Sequence, residues 1–479
     1  MSNSPLAASI DILDDYSLLN VFYLYRSSFL DKDGGEAQRL VGSEGLVYGR
    51  WWYTLAHVCQ RWRNIVLGSA AYLGVSLLCT NGTPVADMLA HSPLLPLLVI
   101  YHLDKNDDFT AQNEEGATLA LKQYDRVRRV YLMMPTSSMV LQKLIDVMDG
   151  EYPILEYLIM GKADVGQSSI SHFPETLQVP HLRQLTLMGF ALPMGSRLLT
   201  TAIGLVSLYL YMVHPSTYVP PNTLQQCLPF MPRLETLMII FSFPVSNREA
   251  EMQLTHTPVT PVTFPNLQIF TFKGVTTYLE ALAHRITAPR LEKLQIIFFN
   301  ERTFSFPRLL QFMNTAENLR FKSAKIEFSD EEVDVEMYPH KEAKMHALVI
   351  AVECCHLDWQ VSSAAQISSS LSSTFSAVEH LTLEHEAHIR SSEEHNHADL
   401  AEWRELLGAY RNVKALRIGN GLVKELSRCL QMDDGELPLG VLPELQELTY
   451  FGSENTGDTF TSFVDARQNA GRPITLIRS

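Results

Sequence analysis

The stretch PHLRQLTLM, residues 180–188, carries a pattern of a leucine, two residues, an apolar residue, one residue and a third apolar residue. The pattern returns along the chain as PRLETLMII (232–240), PNLQIFTFK (265–273), PRLEKLQII (289–297) and PELQELTYF (443–451). The apolar positions that alternate in its second half are typical of a β-strand. Because a motif that recurs at similar spacing defines a repeat architecture, the sequence predicts stacked, related units over most of its length.

Helical patterns lie between these strand motifs. They include 141–148, 278–285, 422–430 and 460–464, where apolar residues recur every three or four positions. A proline stands two residues before many of the first leucines, as at Pro180 and Pro232. Proline has no amide hydrogen and favours extended backbone in the residue before it, so we expect it to end each helix and introduce the next strand.

The composition narrows the class of partner. The chain has 479 residues, of which 46% are hydrophobic and 19% are charged, and its net charge is −15. These proportions are typical of a folded globular protein. Nucleic acids and anionic membranes attract basic surfaces, so we expect neither to be a main partner.

The chain start and the cysteines predict an intracellular protein, cytoplasmic or nuclear. Residues 1–5, MSNSP, lack the basic and apolar segments of a secretory signal. The six cysteines form no CxxC pair and mostly lie in apolar patterns, which favours reduced, buried thiols.

No catalytic motif emerges from the sequence, so we expect no enzyme activity and no cofactor. There is no GxSxG, phosphate-binding loop or HExxH. A histidine- and glutamate-rich segment, 380–397, could in principle bind zinc, but its ligand spacing does not repeat, and a solvated loop is the favoured interpretation. Cys354-Cys355-His356 is interpreted as part of a core strand rather than as a nucleophile, so no catalytic or metal-binding residue is predicted.

The first seventy residues follow a different pattern. An apolar stripe that includes Leu18, Leu19 and Phe22 predicts one helix. A second block, LAHVCQRWR (55–63), predicts another helix with several apolar residues on one face. A glycine-containing and charged stretch, 31–49, separates the two and is predicted to be an internal loop.

The repeats resemble those of the leucine-rich-repeat superfamily, from about residue 94 to the C-terminus. The second N-terminal block resembles the "VC-x-RW" core of the F-box family, and the combination is similar to the large F-box families of mushroom-forming fungi. The resemblance implies an α/β protein with a helical F-box-like domain at 1–73 and a leucine-rich-repeat solenoid at 74–479. In such a solenoid a curved parallel sheet carries its helices on the convex side. Two polar segments, 329–342 and 385–399, are expected to be solvent loops or insertions in it.

The same resemblance implies a function without catalysis. F-box proteins bind a Skp-type adaptor, which connects them to a cullin–RING ubiquitin ligase, and their second domain binds a protein substrate. By motif position the expected adaptor contacts are Leu18, Leu19, Phe22, Val58, Cys59 and Trp62. The alternative is a leucine-rich-repeat scaffold for protein binding whose F-box has degenerated and no longer engages the ligase.

The residues that alternate with the buried leucines give a candidate substrate surface. In a strand these residues point to the opposite side of the sheet. On three successive strands they include the apolar and tyrosine residues Met188, Tyr209, Tyr211, Met238 and Ile240. Exposed apolar patches mark interaction sites, so this surface is the predicted site for an unidentified protein substrate. The other interpretation is that part of the same chain covers it.

Overall fold

The computed structural model describes residues 10–30, 43–102, 109–134, 138–162, 172–194, 196–212, 217–244, 260–301, 303–385, 399–430, 440–451 and 460–478. Over these residues the chain is an α/β protein in which most strands are parallel. It divides into two compact units, Met1–Leu205 and Val206–Ser479. The predicted domain boundary at 73/74 falls inside the first unit and stays a prediction.

The first unit begins with a group of helices. They are α1 (Asp15–Leu30), α2 (Ser43–Ala56), α3 (Gln60–Gly68) and α4 (Ala70–Leu73), preceded by a 3-10 turn at Ile10–Ile12. Helix α4 ends at Gly74, whose φ of 64° is readily reached only by glycine. The indole nitrogen of Trp52 donates a hydrogen bond of 3.0 Å to the carbonyl oxygen of Ser76, which leads into the first strand. The helices therefore pack on the start of the sheet. Residues 43–49 of the predicted internal loop are helical, and 31–42 lie outside the described residues.

Five parallel strands follow in unit 1, paired in chain order. They are β1 (Leu77–Thr80), β2 (Leu97–His102), β3 (Val127–Met133), β4 (Tyr157–Gly161) and β5 (Gln184–Met188). The helices beside them are α5 (Val85–His91), α6 (Ala111–Leu121), α7 (Ser138–Val147) and α8 (Arg197–Thr201). The first four strands carry buried apolar side chains on both of their faces, which is typical of parallel strands in the interior of a protein.

Unit 2 contains a longer sheet. Its strands are β6 (Ser207–Met212), β7 (Thr236–Phe241), β8 (Val262–Thr263), β9 (Ile269–Gly274), β10 (Ile286–Thr287), β11 (Lys293–Phe298), β12 (Ser323–Phe328), β13 (Glu332–Tyr338), β14 (Leu348–Glu353), β15 (His380–His385), β16 (Ala415–Ile418), β17 (Glu447–Tyr450) and β18 (Thr475–Arg478). The order is β6-β7-β9-β11-β14-β13-β12-β15-β16-β17-β18, and β8 pairs separately with β10.

The helices of unit 2 confirm the predicted alternation of strand and helix. They are α9 (Pro221–Cys227), α10 (Thr276–Ala283), α11 (Pro307–Asn314), α12 (Leu357–Ser370), α13 (Ser372–Phe375), α14 (Leu400–Gly408), α15 (Val423–Leu430) and α16 (Thr461–Asn469), with 3-10 turns at Leu228–Phe230 and Asn420–Leu422. No helix in the described ranges combines the length and hydrophobicity needed to cross a bilayer.

Alternate residues of the unit 2 strands are buried against these helices. Strands β6, β7, β11 and β12 all show strict alternation of buried and partly exposed positions. Phe272 stacks on Tyr278 of α10, and Phe270 meets Phe312 of α11 edge-on. We call the side that carries these buried residues the helix face and the opposite side the open face. Residues of the open face are partly exposed on these four strands, whereas Thr271 of β9 and Val349 and Ala351 of β14 are buried there as well.

The prolines before the strands act through a tight turn rather than only by ending a helix. The amide of Leu182 donates to the carbonyl of Val179 at 3.1 Å, across Pro180. The same three-residue step joins Leu234 to Met231 and Leu291 to Ala288, each at 3.2 Å across a proline. Proline suits the second position of such a turn because its φ is fixed near the required value. The turn places the first leucine of each of these three motifs two residues before its strand begins.

One sequence expectation about the sheet was wrong. Residues 329–342 were expected to be a polar loop, but Glu332–Tyr338 forms β13, which pairs antiparallel with both β12 and β14. Val333, Val335 and Met337 are fully buried on the helix face. Because charged residues alternate with these apolar ones, the segment has a strand pattern hidden within an acidic composition. The other expected insertion, 385–399, lies almost wholly outside the described residues.

A buried arginine stabilises the turn before β17 through hydrogen bonds. The guanidinium of Arg467 in α16 donates to the carbonyl oxygens of Leu442, Pro443 and Leu445, each at 3.1 Å. Leu442 has a φ of 49°, in the left-handed region that non-glycine residues avoid. The hydrogen bonds offset the cost of that backbone conformation.

We therefore predict that Arg467→Met lowers the free energy of unfolding by about 2–4 kcal/mol, since three carbonyl groups lose a charged donor. Urea denaturation followed by circular dichroism measures this. Arg472→Met, which removes only an exposed pair with Glu444, is the matched control and should cost under about 1 kcal/mol. Equal losses in the two variants would contradict the assigned role.

Candidate binding surfaces

The block that resembles the F-box core holds the helical region together. Cys59 is the N-cap of α3, and its sulfur accepts a hydrogen bond from the amide of Trp62. Arg61 reaches the start of α1, where it bonds Asp15 Oδ1 at 2.8 Å and the carbonyl oxygen of Leu13 at 2.6 Å. The ring of Trp62 lies 4.8 Å from that of Phe22. This motif therefore joins α3 to α1.

The six residues predicted to contact an adaptor differ in their exposure to solvent. Leu18 and Phe22 have no exposed surface, so in this structure they fill the interior and cannot contact a partner. Leu19 and Trp62 are half-buried. Cys59 is exposed but is used as a helix cap, and Val58 is 56% exposed. Val58 is thus the predicted contact that remains most available.

Sequence reasoning missed two exposed residues near the N-terminal end of α1. Ile12, in the 3-10 turn before the helix, is 78% exposed, and Tyr16 in its first turn is 75% exposed. Arg61 links this start to the first turn of α3, so Ile12, Tyr16 and Val58 belong to the same end of the helical group. We call these three residues the head surface. The sequence pattern placed Ile12 in the same apolar stripe as Leu18 and Phe22, but Ile12 lies in the 3-10 turn before α1 and does not share the buried face of that helix. Tyr16 was not part of the stripe.

Four of the predicted substrate-binding residues lie together on the open face of unit 2. Tyr209 pairs with Met238, and Tyr211 pairs with Ile240, across β6 and β7. All four are partly exposed, as the alternation predicted. The hydroxyl of Tyr211 lies 3.3 Å from the sulfur of Met238, and burial raises the pKa of this tyrosine. These residues form an ordered apolar surface.

The fifth residue, Met188, belongs to unit 1. It lies opposite Gly161 of β4, and Gly161 pairs on its other side with Met133. A Cβ at position 161 would stand 2.2 Å from the Met133 sulfur and 3.4 Å from the Met188 Cβ. The glycine thus makes room for a methionine side chain from the neighbouring strand. Nearby on the same face lies a buried apolar cluster that the sequence analysis did not identify: Leu78, Leu98, Ile100, Tyr131 and Ile159.

Carboxylates collect on the open face of four neighbouring strands of unit 2. Glu332 lies directly opposite Glu353, and Asp334 opposite Glu327, which in turn lies opposite Glu384. Glu336 completes the group on β13. We call these six residues the acidic rows: Glu327, Glu332, Asp334, Glu336, Glu353 and Glu384.

Two lysines partly neutralise the acidic rows. Lys325 lies 2.7 Å from Glu327 and 3.0 Å from Glu384, and Lys273 pairs with Glu353. Burial acts to lower the pKa of Lys325, but its two glutamate partners outweigh this effect and raise it. Burial, followed by the charges of Glu332, Glu336 and Glu327, raises the pKa of Asp334 to about 7. Asp334 therefore carries a charge at neutral pH only at an energetic cost.

Other residues with candidate chemistry do not assemble into a reactive site in the described chain. Cys354 is buried, which raises the pKa of its thiol to about 12, so it is a poor nucleophile. Within the described ranges, no three His, Cys, Asp or Glu side chains are placed to hold a metal ion. Of the histidine-rich segment only His380 and His385 are described; the remaining histidines of that segment lie outside those ranges.

Comparison with known proteins gave no assignment. No protein-family model matches the chain. No curated protein matches it either.

The raised pKa of Asp334 gives a stability prediction with a defined sign. An aspartate in the unfolded chain has a pKa near 3.9, so between about pH 4 and pH 7 folding binds a proton at this site. Stability therefore falls as pH rises through this window. We predict that Asp334→Asn, which cannot ionise, raises the free energy of unfolding at pH 8 by on the order of 1 kcal/mol.

The gain should disappear at pH 4, where the native aspartate is also neutral. Urea denaturation of both proteins at the two pH values measures it. Asp465→Asn, at an exposed aspartate of α16, is the control and should change stability little at either pH. A gain for Asp334→Asn that does not depend on pH would contradict the explanation.

The close packing at Gly161 gives a second prediction. Gly161→Ala forces the Met133 side chain to move, and we expect a loss of about 1–3 kcal/mol in the free energy of unfolding. In a Met133→Ala background the same substitution should cost much less, because the crowded sulfur is gone. The double-mutant cycle, measured by urea denaturation, isolates this coupling. Additive effects would show that the two residues do not interact.

Proposed function

We propose that the chain is a non-catalytic substrate-recognition subunit of an SCF-type cullin–RING ubiquitin ligase. In this proposal an F-box-like helical head binds a Skp-type adaptor. A leucine-rich-repeat solenoid, running from about residue 74 to the C-terminus, binds a protein substrate. The observation that carries the proposal is the joining of α3 to α1 by Arg61 and Trp62, while Cys59 caps α3; these three residues resemble the F-box core.

The sheet supports the second half of the proposal. Parallel strands in unit 1 pair in chain order, and a described helix lies between successive strands from β1 to β4. Most strands of unit 2 also pair in chain order. The exceptions are the β12–β14 segment and the strands β8 and β10, which pair with each other outside the main sheet. Repeat proteins built from such units present an extended face of side chains that other macromolecules bind.

The head surface supports adaptor binding in a revised form. Leu18 and Phe22 are unsuited as contacts because they are buried, whereas Ile12, Tyr16 and Val58 offer apolar area to a partner. Exposed apolar groups of this kind mark protein interaction sites. In the revised proposal the adaptor contacts these three residues, and the predicted motif residues hold them in place.

The alternative function is a protein-binding scaffold that no longer engages the ligase. The observation that favours it is the complete burial of Leu18 and Phe22, which removes two of the six contacts implied by the resemblance. The two functions share the sheet surfaces and differ only at the head. Adaptor binding therefore separates them.

The test is co-purification of the full chain with a purified Skp-type adaptor. Val58→Glu should reduce adaptor binding at least about tenfold, since a charge would be buried at an apolar contact. Met139→Glu is the matched control, because Met139 is also a strongly exposed apolar residue of unit 1. That variant should bind as the wild type does.

Circular dichroism should show that both variants fold, since neither position is buried. If the wild-type chain does not retain the adaptor, the scaffold function is favoured and the ligase function fails. If the wild type binds and Val58→Glu binds equally well, the head surface is the wrong contact.

A further inference from the structure

The open face of unit 2 changes character along the row of paired residues that begins at Tyr211. Strand pairing places Tyr211 opposite Ile240, then Lys273, then Ile297 and then Ala351. The row continues through Asp334, Glu327 and Glu384. One end of the row is therefore apolar, and the other end is acidic.

The neighbouring row repeats this order. It runs from Tyr209 and Met238 through Thr271, Gln295 and Val349 to Glu336, followed by Lys325. The two rows lie side by side on adjacent outward positions of the same strands. Together they make a band that crosses the strands, with an apolar half and a negatively charged half. Thr271 within the apolar half, and Val349 and Ala351 between the halves, are buried, so the partly exposed side chains on either side of them form the accessible part of the band.

The negative half is costly for the fold. Like charges directly opposite one another on neighbouring strands are destabilising, and Glu332 and Glu353 are such a pair. Six carboxylates in the acidic rows face two lysines, Lys273 and Lys325, so negative charge remains in excess. Burial raises the pKa of both Glu332 and Asp334, which shows that their ionised forms are disfavoured in the protein alone. A cationic partner would reduce this cost.

We propose that this band binds an extended segment of a partner protein in which an apolar side chain is followed by a cluster of arginine or lysine. The spacing follows from strand geometry. Four strand steps separate Ile240 from Asp334, which is about 19 Å at ~4.8 Å per step. An extended chain covers that distance in roughly six residues. The inference rests on the proposed function in taking this segment as part of the ligase substrate.

The two halves of the band favour a cationic peptide segment over a metal ion or another small cation. A metal ion needs convergent ligands, and the described residues contain no group placed to supply them. The apolar half sets a second requirement that a small cation does not meet. Burying the apolar surface of Tyr209, Met238 and Ile240 is favourable only against an apolar group of the partner. An occupant with both features satisfies both halves of the band, and its charge pattern fixes its direction.

The experiment measures binding of three fluorescein-labelled synthetic peptides of about 12 residues to the full chain by fluorescence anisotropy, without adaptor. The first has two leucines separated by about six residues from three arginines. The second replaces the arginines with glutamates, and the third replaces the leucines with serines. We expect the first peptide to bind at least about tenfold more tightly than either of the others.

A triple variant of the acidic rows tests the site. Glu332→Gln, Asp334→Asn and Glu336→Gln together should weaken binding of the first peptide about tenfold or more. The charge-matched control removes three carboxylates elsewhere in unit 2, with Glu317→Gln, Glu402→Gln and Asp465→Asn. It should leave binding within about twofold, because these residues lie off the open face, on or beside helices. Met238→Asn, which makes the position polar without adding charge, should weaken binding of the first peptide and leave binding of the serine peptide unchanged.

Three outcomes would overturn the proposal: no binding of the first peptide, equal binding of the first and third peptides, or equal weakening by the triple variant and its control. The last would mean that net charge alone attracts the peptide. Loss of folding does not obscure the result, because the unfolding curve of the triple variant can be compared directly with that of the wild type. The peptide assay contains no adaptor. A negative result in it therefore does not contradict adaptor binding by the head surface, and a negative adaptor experiment does not contradict peptide binding by the band.

Discussion

The structure depends on a repeated coupling between a proline turn and a buried strand. In unit 2 the turn hydrogen bond across Pro232 or Pro289 sets the first leucine, and the alternating residues that follow enter the helix face. Each strand then pairs with the next, so its register is fixed both by its turn and by its neighbour. A shift of one residue would exchange the buried and exposed sides, which burial of the aliphatic residues prevents. The open face is a consequence of this constraint.

In the N-terminal helices the block that resembles the F-box core acts mainly in packing. Cys59, Arg61 and Trp62 are occupied with a helix cap, a link to α1 and a ring contact with Phe22. Residues that must hold a small helical group together have little surface left for a partner. The surface available for binding is therefore formed by residues beside the motif. Position in the motif predicted Leu18 and Phe22 as contacts, but it does not distinguish residues that pack inside the helical group from residues that face a partner, and both are interior.

The sheet of unit 2 carries two kinds of surface on one face, and they have different origins. Tyr209 and Met238 occupy outward positions of strands that follow the leucine pattern closely. The acidic rows arise where the antiparallel strand β13 enters the sheet between β12 and β14 and adds Glu332, Asp334 and Glu336. Two of its carboxylates, Asp334 and Glu332, lie directly opposite glutamates of β12 and β14, respectively. The departure from the repeat therefore creates the strongest electrostatic feature on this face.

The sequence by itself determined the alternation of strand and helix, the positions of the buried leucines and the outward side of Tyr209, Tyr211, Met238 and Ile240. These are local properties, because the period of the apolar residues fixes which side of a strand faces the core. Only the tertiary structure decided that 332–338 is a strand, that Leu18 and Phe22 are interior, and that six carboxylates from four strands meet. Those results depend on which distant segments become neighbours, and pairing between strands far apart in the chain is not encoded in the pattern of any one of them.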